Sequence, residues 1–417
     1  MWRRRFRPMA SWSQMQLALT EYKPAFAVAL TQLQRDQLRR LAPSMAISPA
    51  IGHESAYDLT PGSFVGVVHL ADGLEIVIRT KVPIDRVLFL ISYAVGQGRW
   101  LDMPAGLAQA GSLLEAILPA FSYRLRRTLE RGVLQGYRSE DDALTTLRGR
   151  WRIGDQIRSR FGTVPPIEVS YDDFTEDIEP NRLLRAAVHR LLRLPARDDH
   201  ARWPLRALDA RLSGVRLVDY DPRRVPQVVF DRRSEHYRGA VGLARLILSG
   251  ASFDLDVGQV AASAFLIDMN KVFEDFVVVA LRDALRVSDR VLVQGASGRP
   301  LFLDVAERVS LRPDISFWAG ERCQFVGDVK YKRLAMAAYP NADLYQLTAY
   351  TIGTGLASGM LVYAAGDVGE AGEDIHEVRQ LGKRLIVAPL HLDRSPERIL
   401  EQIALLAARI APSVAAA

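Results

Sequence analysis

Two neighbouring segments organise the rest of this sequence: Leu311-Arg312-Pro313-Asp314-Ile315-Ser316-Phe317-Trp318 and Gly327-Asp328-Val329-Lys330-Tyr331-Lys332. Their β-branched and aromatic residues predict strands over residues 314–318 and 324–332. Between them, Ala319-Gly320-Glu321-Arg322 combines a glycine with two charges, which is typical of a hairpin turn. The sequence therefore predicts a β-hairpin that a Pro-Asp pair opens and an Asp-x-Lys triplet closes.

The charged residues of this hairpin suit metal-assisted cleavage of phosphodiesters. Asp314 and Asp328 lie on adjacent predicted strands, where two carboxylates can converge on one Mg²⁺. Because side chains alternate along a strand, Asp328 and Lys330 share one face, with Lys332 one step beyond. A lysine in that place orients or deprotonates the attacking water and offsets charge on the phosphate. Each short pattern also recurs by chance, and it is their order on adjacent strands that favours a function.

Composition excludes several classes of protein. At 417 residues the chain is long enough for two or three domains. Its longest mostly apolar runs, such as residues 87–95, are about half the length of a membrane span. No apolar signal core follows the basic N-terminus, so we expect a cytoplasmic protein. The single cysteine, Cys323, excludes an internal disulfide and a four-cysteine iron–sulfur cluster, and its place in a predicted strand indicates a structural thiol.

The charge and the missing nucleotide motifs indicate partners. The formal net charge is +6, which is compatible with a polyanion such as DNA, although many basic proteins bind none. The sequence has neither the Gly-x-x-x-x-Gly-Lys-Ser/Thr phosphate loop nor the Gly-x-Gly-x-x-Gly pattern. We therefore predict no nucleotide-binding residues in this chain, and we assign any nucleotide hydrolysis to a partner.

The N-terminal part is predicted to be rich in strands. After a poorly ordered basic tail, we expect a strand over residues 17–22 and a hairpin over residues 64–79 that turns at Asp72-Gly73. Helices are predicted from Ile84 and over residues 113–130. The second helix ends in arginines that fit either a solvated helix end or contact with DNA or a partner, and both interpretations stay open. Residues 162–166 read as a linker, and the domain boundary is placed there.

Further along, the acidic segment at residues 171–177 precedes a helix that begins near Asn181. Acidic residues in that position are commonly helix caps and dipole partners, although a metal site is the alternative. Helices are also predicted over residues 201–212, 237–248, 265–277, 343–351 and 396–410, with strands near 291–293, 360–364 and 384–389. This order predicts an α/β protein, α+β overall, with a mixed sheet flanked by helices.

Together, these patterns resemble the PD-(D/E)XK nuclease superfamily. The resemblance lies in Glu274 on a helix, Pro313-Asp314, Asp328-x-Lys330, and Gln346-x-x-x-Tyr350 on the next helix. Most of the chain is similar to the McrC family, the nuclease subunits of McrBC-type modification-dependent restriction systems. Three further segments, at residues 62–67, 171–181 and 269–274, support that similarity.

The resemblance implies roles for particular residues. Asp314 and Asp328 are expected to bind Mg²⁺, or Mn²⁺, and Lys330 to act as the water-orienting base. Glu274 is expected as a further catalytic and metal-binding residue. Gln346 and Tyr350 are expected to position the DNA or the site, and Lys332, beyond the Asp-x-Lys triplet, joins them as a candidate. The expected partners are a hexameric McrB-type AAA+ GTPase, which binds the GTP, and double-stranded DNA methylated on cytosine.

The resemblance also predicts a domain arrangement. Residues 1–165 are expected to form a β-rich domain that docks on the AAA+ partner. Residues 166–417 are expected to contain a helical lead-in and a restriction-endonuclease-like domain with its core at about 260–417. Two alternative functions remain at this point: a free-standing nuclease of the DNA-repair or phage type, and a non-cleaving activator of an AAA+ GTPase.

Overall fold

The computed structural model describes residues 16–53, 55–97, 111–161, 163–194, 202–250, 254–257, 260–295, 299–332, 341–365 and 373–410. The basic tail expected before residue 14 lies outside these ranges. Among the described helices, none combines the length and the apolar character that crossing a membrane requires.

The described strands are, in chain order, β1 (Gln16–Thr20), β2 (Ala25–Ala29), β3 (Ala46–Pro49), β4 (Ala56–Thr60), β5 (Phe64–His69), β6 (Glu75–Arg79), β7 (Gly136–Leu144), β8 (Arg150–Trp151), β9 (Ile167–Thr175), β10 (Asp254–Val257), β11 (Val260–Asp268), β12 (Leu292–Gln294), β13 (Leu301–Phe302), β14 (Ser310–Leu311), β15 (Ile315–Ala319), β16 (Arg322–Lys330), β17 (Ser358–Ala365), β18 (Asp374–Val378) and β19 (Lys383–His391). The described α-helices are α1 (Gln32–Leu41), α2 (Ile84–Ser92), α3 (Leu113–Leu129), α4 (Ile153–Arg160), α5 (Glu179–Arg193), α6 (Trp203–Arg211), α7 (Arg238–Ser249), α8 (Met269–Leu285), α9 (Asn341–Gly353) and α10 (Pro396–Ile410). Most predicted elements are thus confirmed, with small shifts at their ends.

The first sheet contains five strands in the order β1-β6-β5-β11-β10. Its β5–β6 hairpin turns at Asp72-Gly73 as predicted, and Gly73 has a φ of +89°, which glycine adopts without strain. Strand β11, from the C-terminal half of the chain, pairs antiparallel with β5. The N-terminal sheet is therefore completed by a strand that lies almost 200 residues away in sequence.

Strand β11 corrects one prediction. The helix predicted over residues 265–277 begins only at Met269, and residues 265–268 belong to the strand. Phe265 and Leu266 both are buried, in different apolar clusters, because β11 is covered on both faces. Such a strand presents a continuous apolar run, which periodicity does not distinguish from a buried helix. Asp268 then caps α8 by accepting a hydrogen bond from the Asn270 backbone N–H at 2.9 Å.

The second large sheet contains six strands in the order β12-β15-β16-β17-β19-β18. The predicted β15–β16 hairpin is confirmed, and its turn lies at Gly320-Glu321. Strands β16, β17 and β19 are parallel to one another, and α9 connects β16 to β17. Helix α9 packs on one face, while α8 and α10 pack against the other. The predicted α/β fold class, with a mixed sheet between helices, is confirmed.

A third sheet bears on the predicted domain boundary. It has the order β7-β9-β8, and β7 pairs with β9 along nine residues. The linker predicted at residues 162–166 therefore lies between strands of one sheet, and a division at residue 165 separates strands that pair. Strand β11 likewise crosses the limit predicted at about residue 260, because it belongs to the first sheet.

One apolar core joins the two large sheets. Its largest cluster includes Val65 and Val67 from the first sheet, and Phe317 and Val329 from the second. Residues of α3, α5, α7, α8 and α10 fill the space between them. Because the sheets share this core, elements of the N-terminal part lie directly against the strands that carry the predicted site.

Candidate active site

The β15–β16 hairpin brings Asp314 and Asp328 to one place. Asp314 directly precedes β15, and Ile315 pairs with Gly327, so Asp314 lies across from Asp328. The backbone N–H of Val329 donates a hydrogen bond to Asp314 Oδ2 at 2.8 Å. The prediction that the Pro-Asp and Asp-x-Lys patterns meet on adjacent strands is confirmed in its geometry.

Asp314 and Asp328 place two carboxylates close together in a largely buried position. Asp328 is fully buried, and among the described residues the Lys330 ammonium is the cation paired with its carboxylate, through Oδ2. Burial and the charge of Asp328 raise the pKa of Asp314 well above its usual range. An acidic pair in this state is stabilised by a cation, because a cation offsets both the burial and the mutual repulsion.

Lys330 provides one positive charge. Its ammonium forms an ion pair with Asp328, and its side chain is only 20% exposed. Burial alone would lower the pKa of Lys330, but the carboxylates of Asp328, Asp314 and Asp343 together outweigh burial and raise it. A protonated ammonium donates hydrogen bonds and stabilises negative charge. This arrangement favours the water-orienting part of the predicted role over proton abstraction.

Glu274 lies near the pair without joining it in one ligand set. Its carboxylate Oε1 accepts a hydrogen bond from Gln294 Nε2 at 2.8 Å and faces Lys271 Nζ at 3.2 Å. Its charge is a minor cause of the raised pKa of Asp314. Across the described ranges, no three residues among the histidines, cysteines, aspartates and glutamates are arranged to hold a metal ion. Asp314 and Asp328 are the two carboxylates that the hairpin brings together, and the metal-binding role expected of Glu274 stays a prediction.

These two residues fit Mg²⁺. Mg²⁺ in proteins is commonly held by one or two carboxylates and keeps several waters or substrate oxygens as its other ligands. The full burial of Asp328 and the raised pKa of Asp314 are both features that a divalent cation would compensate. The predicted Mg²⁺ or Mn²⁺ stays a prediction that these residues support chemically.

Helix α9 supports the start of the hairpin through Tyr350. The Tyr350 hydroxyl donates a hydrogen bond to the Arg312 carbonyl at 2.9 Å and accepts one from Gln346 Nε2 at 2.6 Å. Tyr350 is buried, and burial followed by the charge of Asp328 raises its pKa, so the hydroxyl stays protonated. Gln346 and Tyr350 thus hold the backbone two residues before Asp314.

Lys332 lies beyond the end of β16 and pairs with a different acid. Its Nζ is 3.3 Å from Asp343 Oδ1, and the Tyr363 hydroxyl donates to Asp343 Oδ2 at 2.8 Å. Asp343 is buried, and its charge also acts on Lys330. The sequence analysis missed Asp343 and Tyr363. The only available signal was an acid in the first turn of the helix that carries Gln346.

The acidic segment before α5 forms an ion-pair cluster. Asp177 accepts two hydrogen bonds from Arg182 and one from the Arg216 backbone N–H, each at 2.8 Å, and also pairs with Arg138. These donors, Arg182 first, hold the pKa of Asp177 well below its usual range. Helix α5 itself has Ile178 as its N-cap and no side-chain cap. Asp177 is therefore a structural ion-pair residue, and it neither caps α5 nor resembles a metal ligand.

Two other sequence predictions are resolved by packing. Cys323 is buried in β16, and burial raises the pKa of its thiol to about 11, as expected for a structural thiol. In the arginine group at the end of α3, Arg124 lies against Gly239 of α7 and is partly buried, whereas Arg126 and Arg127 are exposed. Arg124 is thus a packing residue. Contact with DNA or a partner stays open for the exposed Arg126 and Arg127.

Comparisons with known proteins found a family model and solved structures that match this chain. The model of the family described as "McrBC 5-methylcytosine restriction system component" matches residues 59–364. No curated protein matches the sequence. A chain of a Thermococcus gammatolerans assembly of McrB AAA+ hexamers with bound McrC is 18% identical, with a TM-score of 0.53 over 95% of this chain and 100% of that one. A chain of the T. gammatolerans McrBC complex is 21% identical, with a TM-score of 0.41 over 65% of this chain and 88% of that one.

Proposed function

This chain belongs to the McrBC family of 5-methylcytosine restriction system components, and we propose on that premise that it is the DNA-cleaving subunit of a modification-dependent restriction system. The observation that carries the proposal is the buried Asp314–Asp328 pair with Lys330 beside it. The family match extends on both sides of this site, from residue 59 to residue 364.

The chemistry follows from the residues of the hairpin. Asp314 and Asp328 would hold Mg²⁺, and the bound ion would polarise a phosphoryl oxygen and lower the pKa of water. Lys330 donates hydrogen bonds to the attacking water and to the phosphate, where it stabilises the charge that develops during attack. The Val329 N–H fixes the Asp314 carboxylate, and Tyr350 fixes the backbone before it. These contacts keep the reacting groups in place, which is a large part of catalysis in phosphoryl transfer.

A surface on the third sheet is proposed as the docking site for an AAA+ partner. Tyr137 of β7 and Phe174 of β9 pair across this sheet with ring centres 5.1 Å apart, and they are exposed by 77% and 56%. Exposed aromatic groups that lie together favour protein–protein contact. The structurally similar T. gammatolerans assembly contains McrC bound to McrB AAA+ hexamers. We assign GTP binding and hydrolysis to such a partner and stimulation of its GTPase to this chain.

The substrate is proposed to be double-stranded DNA that carries methylated cytosine. The description of the family names 5-methylcytosine, and the net positive charge of +6 is compatible with DNA. We place the reaction in the cytoplasm, where foreign DNA would be cut as an antiviral defence. Recognition of the methyl group is assigned to the partner.

The test is plasmid cleavage by the purified chain in Mg²⁺, with methylated and unmethylated DNA, and with or without the AAA+ partner and GTP. Cleavage only with partner and GTP is the expected result. Cleavage by the chain alone would instead support the free-standing nuclease. No cleavage in any condition, with a stimulated partner GTPase, would leave a non-cleaving activator.

The GTPase of the partner is measured in the same reactions. A rate that rises when this chain is added supports the docking and stimulation that we propose. A variant with Tyr137 and Phe174 changed to serine should lose both partner binding and stimulation while it keeps its helical and strand content. A rate that this chain leaves unchanged would reject the activating role.

A further inference from the structure

The residue that directly follows β16, the strand of Asp328 and Lys330, is bound by the N-terminal part of the chain. Tyr331 is 1% exposed, and its hydroxyl donates a hydrogen bond to Glu21 Oε1 at 2.8 Å. Glu21 is also 1% exposed, and the same oxygen accepts the Lys81 backbone N–H at 2.7 Å. A carboxylate this deeply buried is costly unless it is paired, so these donors are needed to keep Glu21 in place.

Lys81 holds the other end of Tyr331. Its ammonium donates a hydrogen bond to the Tyr331 carbonyl at 2.6 Å and lies 3.9 Å from the centre of the tyrosine ring. Tyr331 is therefore held at its hydroxyl, its ring and its carbonyl by residues that are at least 250 positions away in sequence.

The contacts of Tyr331 lie at the point where the pairing of β16 with β17 ends. Lys330 is the last residue of β16, and its ladder partner is Tyr363. Because side chains alternate, Lys330 points to the α9 side, whereas Tyr331 points to the core on the opposite side. Rotation or fraying at the strand end would move Lys330 away from Asp328, and the contacts of Tyr331 oppose that movement.

The same N-terminal surface holds the start of α8, the helix of Glu274. Ser63 Oγ donates to Asp268 Oδ1 at 2.8 Å, and the Ser63 carbonyl accepts the Met269 N–H at 3.0 Å. The Tyr22 hydroxyl, next to Glu21, donates to Asn270 Oδ1 at 3.3 Å. Strand β16 and helix α8 are thus both attached to residues of the N-terminal part of the chain.

We propose that Tyr331 and Glu21 are positioning residues for DNA cleavage, which hold the end of β16 so that Lys330 stays aligned with Asp328. The inference rests on the proposed nuclease function. It adds that the N-terminal part of the chain, beyond docking a partner, is required for the geometry of the cleavage site itself.

The main variant is Tyr331→Phe in the full chain, assayed with the AAA+ partner, GTP, Mg²⁺ and methylated plasmid. Tyr237→Phe is the matched control, because Tyr237 is equally buried and its hydroxyl bonds the Leu134 N–H at 2.8 Å, away from the hairpin. We expect Tyr331→Phe to lower kcat by about tenfold with the KM for DNA and the GTPase stimulation unchanged. Tyr237→Phe should leave kcat within about twofold of the wild type.

Variants of Glu21 test the residue that accepts the hydrogen bond from the Tyr331 hydroxyl. Glu21→Ala removes the acceptor and should match the loss of Tyr331→Phe, while Glu21→Gln keeps an acceptor oxygen and should recover most of the activity. Because both groups form one hydrogen bond, the double variant Glu21→Ala/Tyr331→Phe should lose no more than Glu21→Ala alone.

Amide hydrogen exchange of the free chain gives a second measurement that needs no cleavage. Peptides that cover residues 326–332 should exchange faster in Tyr331→Phe and at the wild-type rate in Tyr237→Phe. Equal kcat in the two tyrosine variants, or a loss of kcat together with partner binding and Tm, would overturn the positioning role. If the wild type does not cut DNA, the proposed function fails separately, and unchanged exchange at residues 326–332 then rejects the inference as well.

Discussion

Asp177, just before α5, and Asp328, within β16, are both buried aspartates, and they differ in the donors that surround them. Asp177 receives donors from Arg138, Arg182 and the Arg216 backbone, and these hold its pKa low. Asp328 is more deeply buried and faces one ammonium and a second carboxylate, Asp314.

The contrast separates a structural acid from a functional one. A carboxylate whose oxygens all have donors contributes to stability and has little capacity left to bind a cation. A carboxylate that is buried without enough donors destabilises the fold until a cation binds, and such frustration is concentrated at functional sites. The following predictions test whether the two aspartates differ in this way.

The largest expected effect is on cleavage. Asp328→Asn removes a metal-binding charge and should lower the rate of DNA cleavage by more than about a thousandfold, because phosphoryl transfer depends on the metal and its charge. Plasmid cleavage with partner and GTP measures this rate. Asp289→Asn, which changes an exposed aspartate in the same way, is the control and should cut normally. Full activity of Asp328→Asn would place the site elsewhere.

The next effect is on stability. Asp177→Ala leaves Arg138 and Arg182 without their shared partner and should lower the free energy of unfolding by about 3 kcal/mol. Denaturant unfolding measures this loss. Under conditions where the variant is folded, its kcat for cleavage should stay close to that of the wild type. A stability equal to the wild type would show that the arginines have other partners of similar strength.

Added Mg²⁺ should separate the two aspartates in thermal unfolding. At about one hundred times its Kd, an ion that binds only the folded state stabilises it by about 2.7 kcal/mol. We therefore expect Tm to rise with Mg²⁺ in the wild type and in Asp177→Asn, and to stay constant in Asp328→Asn. Without Mg²⁺, Asp328→Asn should melt at or above the wild-type temperature, because the repulsion from Asp314 is removed. A fall in its Tm would mean that Asp328 is a structural acid like Asp177.

The smallest effect is a pH dependence that comes from Asp177. Its pKa is lowered in the folded chain relative to the ordinary value of 3.8. Its contribution is therefore fully present above the unfolded pKa and is lost as the pH falls below that value towards the lower folded pKa. The stability difference between wild type and Asp177→Asn should be constant from pH 7 to pH 5 and shrink near pH 3. A difference that is unchanged at pH 3 would contradict the lowered pKa.

The sequence predicted the site hairpin well because its signals are local. Period-two alternation and a glycine turn fixed the β15–β16 hairpin, and the hairpin alone places Asp314 across from Asp328. The amphipathic helices α5 and α10 were equally clear, because each has one buried face.

The missed features depend on contacts between distant segments. Strand β11 was predicted as part of a helix because both its faces are buried, one by each core cluster. The boundary at residue 165 followed from a proline-rich segment, yet the strands on either side of it pair in one sheet. Local composition reports a turn in the chain and carries no information on whether the chain returns to the same sheet.

By itself, the sequence determined the elements, the hairpin and the set of acidic and lysine residues, because these depend on neighbours a few positions apart. The tertiary structure alone decided which acids are satisfied: Asp177 meets arginines from β7, from α5 and from the loop after α6, and Asp328 meets too few donors. It also decided that Glu21 and Lys81 hold Tyr331. The physical reason is that burial and partner distance set the charge state and the cost of a carboxylate, and both arise only when distant parts of the chain pack together.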